Sequence, residues 1–140
     1  MSEALRRAID RAKHGLSWDY PCLIWVADYL ADATGRDPAA PWRAITWTEQ
    51  AALAALVRAG RAGQGETAVE RALDATGMRE GWVRADGPQQ GAIMIGCYTA
   101  DDGRTGIPAI FDGQDRWILS HDGAGIRTER TAPHAIWEIT

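Results

Sequence analysis

The sequence predicts an α+β fold, with helices first and an antiparallel sheet of about five strands after them. Three observations point there. Apolar residues recur at helical spacing through the first half of the chain. Short apolar runs recur about every ten residues in the second half. Asp-Gly pairs at 102–103, 112–113 and 122–123 separate those runs, and this dipeptide readily takes the positive φ of tight hairpins. Helices followed by strands argue against alternating βαβ units.

Residues 2–14 carry Leu5, Ala8, Ile9 and Ala12 on one face, which predicts a first helix. Residues 21–34 predict a second, with Pro21 suited to a first turn that needs no N–H. Gly35 is placed to cap its C-terminus. G-R-D-P-A-A-P-W-R reads as a turn. Thr46 or Thr48 can cap a third helix, with Ala52, Leu53, Leu56 and Val57 on its buried side. Gly60 to Gly65 breaks the pattern, and residues 66–76 form a fourth helix ending at Gly77. Strands are expected at 91–99, 106–111, 116–121, 125–129 and 134–139. The 140 residues fit one domain, mainly helical over 1–77 and mainly strands over 91–140.

Composition excludes several function classes. Net charge is −4, and the 15 basic residues are scattered, so no nucleic-acid footprint appears. No apolar run is long enough to span a membrane, and the mixed charges of the first ten residues do not read as a secretion signal. Two cysteines without a C-x-x-C imply synthesis in a reducing cytoplasm. Seven Trp are many for this length, and Trp is favoured in cores and at protein interfaces.

The chemistry-bearing candidates are few. Ser2, Ser17 and Ser120 are the only serines, and none lies in a G-x-S-x-G elbow. His14, His121, His134 and the two cysteines lack metal-ligand spacing, so neither a metal nor a cofactor is expected. The Gly60–Gly65 segment lacks the Lys-Ser/Thr of a phosphate loop. Thiol chemistry is left. Cys22 stands where a loop enters an apolar helix, and a helix N-terminus favours thiolate. Such a nucleophile needs an imidazole base and a third polar group that orients the base. His121 and His134 are the candidates, while Cys97 reads as buried core.

The segment W-D-Y-P-C-L-I-W-V-A-D-Y-L-A-D-A-T-G-R-D-P-A-A resembles the nucleophile helix of a bacterial and phage family that reads D-C-x-L-W/F-x-A-D-W/Y and then T-G-x-D-P-A. That family resembles in turn the NlpC-type papain-like cysteine hydrolases, many of which sit in tail tips of phages and of gene transfer agents. The likeness is clear over residues 15–45. Beyond them, G-A-I-M-I-G, I-P-A-I-F-D-G and W-I-L-S-H-D-G-A-G-I-R are similar to the family's G-D-L-V-F-F, H-V-G-I-Y-x-G and M-I-H-A-x-x-x-G-V-R.

The resemblance implies a papain-like fold with Cys22 at the nucleophile position and His121 at the orienting one. It puts Ile107, beside Pro108, at the base position, and Pro21 where an Asp usually precedes the Cys. Isoleucine accepts no proton, and losing a general base typically removes roughly 10² to 10⁴ in rate. The expected role is therefore structural: a catalytically degenerate domain in a phage-type tail or baseplate, found in a virion or tail-like particle. Its expected partners are other tail or baseplate proteins, anchored through Trp42 and Trp47, with contact to the host cell wall. The alternative is an active peptidase or amidase on peptidoglycan peptides, with Cys22 as nucleophile and His121 as base.

Overall fold

The computed structural model describes residues 1–13, 15–17, 20–103, 105–121 and 125–140, apart from the side chain of His121. Four helices precede an antiparallel sheet: α1 (Glu3–Ala12), α2 (Cys22–Thr34), α3 (Glu49–Ala59) and α4 (Ala68–Glu80), with a 3-10 turn over Ala40–Trp42. The strands are β1 (Val83–Ala85), β2 (Met94–Thr99), β3 (Gly106–Phe111), β4 (Trp117–His121), β5 (Gly125–Glu129) and β6 (Ala135–Glu138). Their order is β1-β6-β2-β3-β4-β5.

Local chemistry accounts for most boundaries. The hydroxyls of Ser2, Thr48 and Thr67 accept from Leu5, Ala51 and Glu70 N–H groups and cap α1, α3 and α4. Gly35 ends α2 at φ 77°, a left-handed conformation that disfavours a side chain. Pro21 is the N-cap of α2, one residue outside the first turn, so Cys22 opens the helix. The Asp-Gly pairs at 102–103 and 112–113 hold glycines at φ 69° and 88° in the β2–β3 and β3–β4 turns. The third pair, at 122–123, lies outside the described residues.

Three expectations need correction. Leu53 and Val57, expected on the buried side of α3, are 49% and 62% exposed, and the residue that α3 buries is Ala55. The fourth helix runs through Gly77 to Glu80 and is capped by Gly81 at φ 80°. Gly77 serves packing: a Cβ there would lie 3.1 Å from Trp82 Cε3. The sheet also has a sixth strand, β1, three residues held by pairing Val83, Arg84 and Ala85 with Glu138, Trp137 and Ile136.

The pleat divides the buried residues into two clusters. Ile95, Cys97, Ile110, Ile118, Ala135 and Trp137 face the helices, against Leu5, Trp25, Val26, Leu30, Val69 and Leu73. Trp25 is buried with its indole N–H donated to Ala8 O at 2.8 Å, tying α2 to α1. Met94, Ile107, Ala109, Phe111, Trp117, Leu119 and Ile136 form the cluster on the other face.

Candidate functional site

Cys22 is half-buried at the first turn of α2, and the extended backbone of Pro21 leads into it. Beside it lies a cavity of about 480 Å³ walled by α2, α3, α4 and the start of β3. Ile24, Val26, Ala27 and Leu30 line it from α2, and Ala52, Leu53, Ala55 and Leu56 from α3. The sheet contributes Gly106, Pro108 and Ser120. Its polar lining residues are Ser17, Cys22, Asp101, Asp102 and Thr105, with Thr76 on α4 and Ser120 on β4. Asp102 is ordered there by accepting from Thr105 N at 2.8 Å and from Thr105 Oγ1 at 2.5 Å.

The residue that fronts this cavity from β3 differs from the expectation. Ile107 borders the cavity, but it pairs with Tyr98, and its side chain belongs to the cluster on the far face of the sheet. Pro108 pairs with Cys97, which faces the helices, so Pro108 stands on the Cys22 side. A one-residue step along a strand reverses the face. The chemical consequence is unchanged, because a prolyl ring accepts a proton no better than isoleucine does. On β4 the residue lining the cavity is Ser120, 3% exposed, whose Oγ donates to Gly125 O at 3.3 Å. His121 is the last residue of β4, paired with Gly125 in register; its side chain lies outside the described residues, as does His14.

Trp42 and Trp47 are half-buried, pack against Ile24, Ala27 and Ala39, and line the cavity. An ionic brace holds this segment to α2. Tyr20 donates to Asp28 Oδ2 at 2.5 Å, Arg43 reaches Asp28 at 2.7 Å, and Arg43 also binds Asp37 at 3.0 Å. The bond from Arg43 holds the Asp37 carboxyl below its usual range, against the opposing effect of burial. Burial, then the bond to Asp28, pushes the Tyr20 phenol well up. The Arg58 guanidinium lies 5.6 Å from the Trp42 ring centre, joining α3 to the same wall.

His134 is committed elsewhere. Its Nε2 lies 2.9 Å from Glu70 Oε1, and its Nδ1 lies 3.3 Å from Thr99 Oγ1. A carboxylate only accepts, so Nε2 carries the proton of that bond. Arg84 binds the other Glu70 oxygen at 3.1 Å while lying over the Trp137 ring at 4.7 Å. Glu66 N–H donates to Glu70 Oε1 at 3.1 Å. Burial raises the Glu70 pKa, but the bonds from His134, Glu66 N and Arg84 outweigh it and hold the carboxyl below its ordinary value. This network ties α4 to the β1–β6–β2 side of the sheet. Its one sequence signal is the T-x-x-E of Thr67 and Glu70, the pattern of a helix capping box.

Cys97 is fully buried, 3.7 Å from Thr67 Oγ1. Burial pushes its thiol up to about 11, so it is an inert core residue. Among the described residues no group of three or more His, Cys, Asp or Glu side chains is arranged to hold a metal ion. No helix described is long and apolar enough to cross a membrane.

No protein-family model, curated protein or solved structure matches this chain.

Proposed function

We propose that this chain is a papain-like domain that has lost hydrolase chemistry and serves as a structural, partner-binding component of a phage-type or gene-transfer-agent tail or baseplate. The observation that carries the loss of chemistry is Pro108 on the Cys22 side of β3, next to Ile107. Along that strand the positions on which a papain-like base would stand are hydrocarbon. The helix-then-sheet order, with the Cys22 helix beside β3, supports the papain-like reading. The tail setting is supported by the likeness of residues 15–45 to a family with tail-associated relatives. Trp42 and Trp47, half-buried and backed by the Arg43 brace, are the proposed partner anchors.

Mass spectrometry of purified tail-like particles from the source cell tests the setting. The chain is expected at a fixed stoichiometry to the other tail proteins. Its absence from particles, with the chain present in the cytoplasm, contradicts the proposal.

The competing reading is an active cysteine hydrolase using Cys22 and His121. The place of Cys22 at a helix start and at a cavity rim favours it. Iodoacetamide distinguishes the two: at about pH 6 an activated thiolate reacts much faster than an ordinary thiol. The structural reading expects Cys22 to react like a simple thiol.

A further inference from the structure

The cavity beside Cys22 is lined mainly by apolar side chains. Its volume of about 480 Å³ falls within the roughly 300–1,000 Å³ typical of small-ligand sites. It follows α2 from Cys22 to Leu30, a rise of about 12 Å at ~1.5 Å per residue.

Its two ends differ chemically. The C-terminal ends of α2 and α4 lie together, joined by Arg36 to Glu80 at 2.7 Å and by Arg79 to Pro38 O at 2.7 Å. There the wall is Leu30, Leu73, Trp82 and Thr76, whose hydroxyl donates to Ala72 O at 2.8 Å. At the other end, by the β2–β3 turn, the rim carries the exposed carboxylate of Asp101, while that of Asp102 is engaged by Thr105. The long hydrocarbon body offers little to a polar ligand, while the rim offers acceptors and negative charge. The whole chain adds a net charge of −4.

We propose that this cavity binds a single unbranched aliphatic chain ending in a primary ammonium group. The chain lies along α2 between α3 and α4, and the ammonium sits at Asp101. A carboxylate head on the same chain is repelled by the rim. Affinity comes from methylenes leaving water, and selectivity from charge. The site does not depend on whether Cys22 keeps any reactivity.

The test is a chain-length series of straight 1-alkylamines and the matching alkanoates, each below its micelle concentration, titrated against the whole protein by calorimetry. Amine affinity is expected to rise about fourfold per added methylene until the cavity is full, and then to level off. The alkanoate of equal length is expected to bind about fivefold more weakly, the scale of one exposed charge interaction. Asp101→Asn is expected to remove that preference while leaving the cut-off length unchanged; Asp101 is exposed, so the variant folds. Ala55→Phe, filling a lining position 6% exposed, is expected to shorten the cut-off. Affinity that rises without a cut-off, amines and alkanoates binding equally, or no saturable binding overturns the proposal.

Discussion

Replacing Glu70 by Gln removes a charge that three donors hold at the junction of α4 and the sheet. The carboxylate is 6% exposed and accepts from His134, Arg84 and Glu66 N–H. Bonds to a buried charge are worth about 1.5–3 kcal/mol each. Arg84 and His134 keep 47% and 32% of their side-chain surface in water, so most of that is recovered by solvation and a net loss of about 2 kcal/mol remains. For a chain of this size that is roughly 6–8 °C in Tm.

The sign with pH follows from the lowered Glu70 pKa. A depressed carboxyl stabilises the fold above its unfolded pKa, and the stabilisation is lost as pH falls through the folded value. Wild type and Glu70→Gln should therefore differ most near neutrality and converge as pH falls through the lowered folded value of Glu70. Urea unfolding followed by Trp fluorescence reads both values. A gap that stays constant over that pH range, or one under about 0.5 kcal/mol at neutrality, refutes the network as described.

Other outcomes follow from the same packing. Ellman's reagent should modify Cys22 in the native protein and reach Cys97, fully buried with its thiol pushed up to about 11, only in denaturant. Gly106→Ala should cost about 1–3 kcal/mol, seen as a lower urea midpoint. The added Cβ would stand 2.6 Å from Thr67 Oγ1 and 2.7 Å from Cys97 Sγ. Trp137→Ala, at a residue 2% exposed beneath Arg84, should cost about 3–5 kcal/mol by the same measurement.

The sequence carried the fold where the controlling physics is local. Ser2, Thr48 and Gly35 act within one turn of themselves, and the Asp-Gly pairs at 102–103 and 112–113 within one hairpin. What it did not carry depends on distant partners. β1 is a strand only because β6 pairs with it. Gly77 resembles a helix stop, and its use inside α4 is visible only once Trp82 and Trp137 lie against it. The face of Ile107 turns on strand phase, which cross-strand pairing with Tyr98 decides. His134 could have served any carboxylate in reach, and the fold supplies Glu70, 64 residues away in the chain.

The most direct measurement is release of peptide fragments from purified peptidoglycan by the wild-type protein and by Cys22→Ala, side by side. On the proposed papain-like reading the base positions of β3 hold Pro108 and Ile107, and both proteins should give the same buffer-level background. Turnover by the wild type that vanishes in Cys22→Ala would show a working thiol enzyme and contradict the scaffold role.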